Sequence, residues 1–228
     1  MRAFLTLCAG CLFFPVAGQP YSGDCNSDSD YAAFLRTGLQ GFEYNNVVEN
    51  YEGDPFFNKW TLGEVILNNG DVITDIYLRY EKYLDELLWL RENDYKAGII
   101  RKEGTTGFRL FDAKGAPMAT FVRKRHKQPF EPDSTEVFFH VLVSGDLTLY
   151  AYRRVKGSPN DYQLIEETKY FLGDNDREVP LILKRKALLN HPLIDKTKMK
   201  GVLHAGKILI SNGEYEMVRA ILLYNSNP

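Results

Sequence analysis

The chain has 228 residues, 44% of them hydrophobic, with 28 lysines and arginines set against 30 aspartates and glutamates. That length suits one domain or two small ones and buries a core without staples. A formal charge of −2 argues against a dedicated nucleic-acid binder, which carries a net basic face.

Arg2 opens a short positive region, and Ala3 to Pro15 holds the apolar run LTLCAGCLFF. Val16-Ala17-Gly18 then places small residues where a signal peptidase cuts, so residues 1–18 read as a secretory signal removed before Gln19. The run is shorter than the ~20 apolar residues of a spanning helix, and no later stretch replaces it, so no transmembrane segment is expected in the mature chain. A competing reading takes Ala9-Gly10-Cys11 as a loose lipobox, with lipoprotein anchoring through Cys11. Removal of the signal takes Cys8 and Cys11 with it and leaves Cys25 alone, which excludes an intramolecular disulfide. No Asn-x-Ser/Thr sequon is present. Together these features fit a periplasmic, cell-surface or extracellular bacterial protein.

Residues 19–52 read as a leader, disordered at its polar start QPYSGDCNSDSD. Asp30 is expected to cap a short helix reaching Leu39. The stretch 41–59 looks irregular, with a turn at Gly53-Asp54-Pro55. From residue 53 to the C-terminus the chain reads as a single β-rich domain. Leu62 to Leu67 alternates apolar and polar residues, Asn69-Gly70 supplies a type I′ turn, and Val72 to Tyr80 returns, its phase unsettled after Thr74. Further strands are expected at Glu86–Leu90, Ala97–Ile100, Phe108–Phe111, Met118–Val122, Val137–Val143 and Leu147–Val155. Tyr162–Glu167 and Lys169–Leu172 are expected to form one more pair. Closely spaced turn signals point to antiparallel pairing. The helical part spans about 183–225. Lys184–Leu189 forms a short helix stopped by His191-Pro192, Asp195–His204 a second one stopped by Gly206, and Ser211-Asn212-Gly213-Glu214 matches a capping box opening a third. The fold expected is α+β: a curved antiparallel β-sheet or partial barrel followed by two or three C-terminal helices.

Signals of chemistry are sparse. His126, His140, His191 and His204 have no metal-ligand spacing such as HExxH, and no GxSxG, SxxK or GxGxxG motif occurs. No metal and no cofactor are expected. Asp85-Glu86, Glu131/Asp133 and Glu166-Glu167 read as solvated carboxylates, since adjacent acids on a strand point to opposite faces. Arg123-Lys124-Arg125-His126-Lys127 reads as an exposed hairpin extension. The candidate ligand-binding residues are Tyr77, Tyr80, Tyr83 and Trp89, which cluster near the first hairpins, and His140, half-buried in VFFHVLV.

Gly53-Asp54-Pro55-Phe56-Phe57, Gly63-Glu64-Val65-Ile66-Leu67-Asn68-Asn69-Gly70, Leu78-Arg79-Tyr80 and Tyr83-Leu84-Asp85-Glu86 together resemble a group of secreted Bacteroidota proteins. Its members read G-x-P-Y/F, G-E-V-x-L-x-D/N-G and L-R-Y-N-x-Y-x-D-E and end in lysine-rich helices. The likeness covers about residues 53–224. Glu81 stands where many members have asparagine, and the loop at 123–135 is individual. The resemblance implies an envelope location and a β-rich body with a helical end, and it transfers no catalytic residue. The function expected is therefore a non-enzymatic envelope binding or accessory protein. Its partner would be another envelope protein, a glycan or a lipid. A lipid carrier with an apolar cavity and a divergent hydrolase around His140 are the alternatives.

Overall fold

The computed structural model describes residues 41–45, 50–91, 95–127, 134–158, 162–174, 177–211 and 213–226. The signal peptide, the polar leader, the Asp30 helix, Glu131 and Asp133 lie outside the described residues.

Eleven strands form one antiparallel sheet: β1 (Gly41–Glu43), β2 (Thr61–Leu67), β3 (Val72–Glu81), β4 (Glu86–Leu90), β5 (Ala97–Ile100), β6 (Thr105–Phe111), β7 (Pro117–Lys127), β8 (Ser134–Val143), β9 (Thr148–Gly157), β10 (Leu164–Gly173) and β11 (Glu178–Leu181). Their order in space is β1-β5-β4-β3-β2-β6-β7-β8-β9-β10-β11, a curved, unclosed sheet. Three helices follow, α1 (Arg185–Leu189), α2 (Lys196–Ala205) and α3 (Glu214–Ser226). The expected α+β fold is the one observed. Among the described residues no helix is long and apolar enough to cross a membrane.

Local chemistry explains most of the boundaries. Gly70 adopts φ 90° in the β2–β3 turn, while Asn69 Oδ1 accepts from the Asp71 amide at 3.0 Å. Asp75 sits at φ 60° and the β2–β3 register slips between Gly63 and Val65, which accounts for the phase break after Thr74. Asp195 caps α2, its carboxylate accepting from the Thr197 and Lys198 amides at 2.8 Å each.

Three expectations about secondary structure need correction. Residues 162–167 and 169–172 are not a hairpin; Leu164–Gly173 is one strand, because β-branched Thr168 continues the extended backbone and the true reversal lies beyond Gly173. Gly41–Glu43, expected to be irregular, is an edge strand too short to show a period. The capping box does not form as drawn. The Glu214 carboxylate is turned instead to Arg153 and the Tyr170 hydroxyl.

Alternation sorts the side chains. Leu78 and Tyr80 share a face with Trp89 and Leu87, and that face carries a ring-filled core of Tyr80, Trp89, Phe108, Phe121 and Phe138. Farther along the sheet, Leu149 and Leu172 meet Met199, Leu203, Met217 and Ile221 of α2 and α3. Asn225 pins the end of α3, bonding both the Leu147 amide (3.1 Å) and its carbonyl (2.8 Å). The indole of Trp89 lies over glycines of the two strands beyond it: a Cβ would come within 2.3 Å of the ring at Gly41 and 2.4 Å at Gly98. Gly98→Ala is therefore expected to cost about 1–3 kcal/mol through overpacking. Urea unfolding measures this, and an unshifted midpoint would show that the indole has room to move.

The pairing of β8 with β9 stops at His140↔Ala151, and the remaining halves of the two strands part. The β3–β4 turn enters the gap. Asp85 accepts from the Phe138 amide of β8 (3.2 and 3.3 Å), and Lys82 O from the Val155 amide of β9 (3.4 Å). Tyr80 Oη donates to Asp85 at 2.6 Å and Lys102 Nζ at 2.7 Å. The acids of this turn, expected on a solvated surface, are enclosed: Asp85 is 4% exposed and Glu86 is half-buried. Main-chain groups that lost strand partners supply the reason, since a buried amide needs an acceptor.

Candidate functional site

The five residues singled out from sequence do not converge. Tyr80 and Trp89 are fully enclosed in the core, where neither presents a face to a ligand. Tyr77 is exposed on the opposite face, across from exposed Leu62. Tyr83 is half-buried, its ring 6.4 Å from that of Tyr51, which in turn lies 5.8 Å from Tyr162. His140 stacks on Phe121 (4.9 Å) and meets the edge of Phe57 (5.3 Å); it shares these two neighbours with Tyr80. Its Nδ1 accepts from Arg153 Nε at 3.0 Å. Burial first, then the Arg153 charge, lowers its pKa to about 4, so the imidazole is neutral at physiological pH. Of the aromatic candidates, Tyr80 and Trp89 serve packing.

The basic run lies in β7 at the outer end of its hairpin with β8, where Arg123 and Arg125 meet Glu136 and Lys124 meets Glu178. The His126 ring packs against Phe139, Tyr152 and Phe171 on the face of the sheet away from the helices.

Two adjoining recesses do gather chemistry. The first is an apolar cleft of about 560 Å³ beside β10 and β11, lined by His126, Tyr170, Phe171 and the run Pro180-Leu181-Ile182-Leu183. It exists because β11 pairs with β10 only from Tyr170 to Gly173, after which the chain turns off toward α1. Ile182 is 66% exposed at its rim. The second recess, about 240 Å³, is lined by Phe57, Lys82, Arg153, Arg154, Glu166 and Thr168. Thr168 lines both. The polar recess is built on rigid supports. Arg153 Nη2 donates to both Glu214 oxygens (2.9 and 3.0 Å) while its Nε holds His140, and Tyr170 Oη donates to Glu214 at 2.8 Å. Sequence reasoning missed these residues because they come from positions as far apart as 57, 82, 153 and 183. The available signal was the Arg153-Arg154 doublet inside an otherwise aromatic and apolar strand.

A third feature is a pair of facing carboxylates. Glu81 and Glu86 are directly opposed on β3 and β4. Glu81 is wholly buried and its oxygens lack a hydrogen bond of good geometry, although the Tyr44 hydroxyl lies close enough to favour its ionised form. Burial first, then the Glu86 charge, raises the Glu81 carboxyl to about 7. Burial also raises Glu86 to about 7, against the pull of Lys102. Among the described residues no group of three or more His, Cys, Asp or Glu is arranged to hold a metal ion.

The fold and recesses thus define a class: an open antiparallel sheet with a helical end cap and an amphipathic recess at its last strands. Comparison of the chain with family models, curated proteins and solved structures finds no match.

Proposed function

We propose that the protein is an exported, non-enzymatic binding protein of the bacterial envelope, and that its ligand is an amphiphile whose alkyl chain lies in the cleft beside β10 and β11. The observation that carries this reading is the cleft itself. Its volume of about 560 Å³ falls within the range of small-ligand sites, and its lining is apolar apart from His126, Thr168 and Lys169. The helix-free core between β2 and β8 is filled by rings, so an alkyl chain fits the edge cleft rather than the sheet interior. Export rests on the N-terminal signal pattern, and the envelope setting on the Bacteroidota resemblance. Nothing at His140 favours the hydrolase alternative: its Nδ1 is engaged by Arg153 and its ring by two phenylalanines.

Calorimetric titration with dodecyl maltoside, below its micellar concentration, tests the reading. The wild type is expected to bind one alkyl chain. Ile182→Asp places a charge at an exposed rim position that the fold does not need, and it should weaken binding at least tenfold. Absence of heat with the wild type, or equal binding by the variant, would refute the cleft.

A further inference from the structure

The polar recess next to the cleft has a construction that the alkyl chain does not explain. The Lys82 side chain is only 8% exposed, against Glu166, whose side chain is 74% exposed. The two partners are therefore unequal. The ammonium is held by its stem and by its own backbone, whose amide donates to Pro55 O at 2.7 Å and whose carbonyl accepts from Val155. The carboxylate stands in solvent and can swing away with little loss, because an exposed ion pair is worth little to either member. A buried ammonium left without an anion is costly. Lys82 thus requires an anion at this spot but does not require that it be Glu166.

The rest of the recess is arranged in the same sense. Arg153 faces Thr168 directly across β9 and β10. Its guanidinium is fixed by His140 and Glu214. A guanidinium already locked in place gives up little rotamer freedom when it takes up an oxyanion. Three cations line the recess, Lys82, Arg153 and Arg154, against one carboxylate, Glu166. Glu214 meets Arg153 from outside the recess, and Glu167 lies directly across the strands from Arg154.

We infer that the recess formed by Lys82, Arg153, Arg154 and Thr168 binds the oxyanion head, phosphate or carboxylate, of the amphiphile whose chain fills the cleft, and that Glu166 is a resident carboxylate which the head displaces. The ligand enters with its head against Lys82 and Arg153, crosses Thr168, and lays its chain along Tyr170, Phe171 and Leu181–Leu183. Charge-assisted hydrogen bonds from Lys82 and Arg153 replace the single contact with Glu166. The assignment of the chain rests on the function proposed above; the assignment of the head does not.

Three probes separate the two parts: dodecyl phosphate, dodecyl maltoside and inorganic phosphate, each titrated into the full chain. The expected result is that dodecyl phosphate binds at least tenfold more tightly than dodecyl maltoside. Lys82→Met, which keeps the stem and removes the charge, should abolish that preference while leaving maltoside binding in place. Glu166→Gln alters an exposed side chain and so keeps the fold; by removing the competing carboxylate it should tighten dodecyl phosphate roughly three- to tenfold and leave maltoside unchanged. Equal affinity for the two alkyl probes, unaltered in Glu166→Gln, overturns the oxyanion site and leaves the cleft standing. Binding of inorganic phosphate that Glu166→Gln strengthens, with no binding of maltoside, supports the oxyanion site as one for a free anion and removes the cleft. No binding of any probe overturns both.

Discussion

Replacing Asp85 by alanine is expected to destabilise the protein by about 3–5 kcal/mol, the range for breaking a buried charge pair from one side, and to lower its melting temperature by roughly 6–20 °C. Asp85 is the point at which the β3–β4 turn is fastened into the gap between β8 and β9. Alanine would leave the Tyr80 hydroxyl, the Phe138 amide and the Lys102 ammonium without their acceptor, and Tyr80 is wholly enclosed. It would also place a less tolerant residue at φ 59°. Burial holds the Asp85 carboxyl above the usual carboxylate range despite Lys102 and Tyr80, so attraction within the pair is a minor part of the effect; the orphaned donors are the major one. Two companion variants follow from that assignment. Asp85→Asn keeps an oxygen for Tyr80 and Phe138 and tolerates the left-handed backbone, so it should lose less than half as much. Lys102→Met added to Asp85→Ala should recover part of the loss. An Asp85→Ala protein that melts within 2 °C of the wild type would mean that the turn is not a wedge.

The second large effect concerns pH. Glu81 and Glu86 titrate as a facing pair, each raised from about 4.5 to about 7 in the folded chain. A raised folded pKa means that the native state holds protons which the unfolded state has released. The contribution to stability is thus complete below about pH 4.5 and is lost as pH climbs through about 7. His140 works in the other direction: with its folded pKa near 4, it removes stability as pH falls below its unfolded value. The wild type should accordingly be most stable in mildly acidic solution. Glu81→Gln isolates one limb. Near pH 8.5 it should stabilise the fold by about 3 kcal/mol, the cost of ionising a carboxyl whose pKa lies at about 7 rather than about 4.5, and near pH 4.5 it should change little. Denaturant unfolding at the two pH values provides the comparison. Equal midpoints for variant and wild type at both would show that Glu81 ionises freely.

Much of the architecture was legible because it is local. Asn69-Gly70 specifies its own turn, the alternation in Leu62–Leu67 its own face, and Asp195 its own helix start. Met217, Ala220, Ile221 and Tyr224, spaced for a helix, are all buried on α3. What escaped notice depends on residues far apart in the chain. Asp85 and Glu86 look like surface acids because the strand ends that enclose them, at 138 and 155, lie more than fifty residues away. Tyr80 and Trp89 have the same composition signal whether they face a ligand or a core; only the sheet's curvature decides, by folding β6, β7 and β8 over Tyr80 and setting Gly41 and Gly98 beneath Trp89. Leu78-Arg79-Tyr80 and Tyr83-Leu84-Asp85-Glu86 are the two arms of the wedging turn, so Tyr80 and Asp85 are held by packing and by the Phe138 amide. Lys82 lies within the same turn and is where the architectural element meets the proposed site.

Photolabelling with a dodecyl phosphate that carries a terminal diazirine tests the central claim most directly. Adducts mapped by peptide mass spectrometry are predicted on Thr168–Phe171 and Pro180–Leu183, and excess unlabelled dodecyl phosphate should suppress them. Labelling centred on the exposed Leu62–Tyr77 face, or spread evenly over the surface without competition, would contradict it.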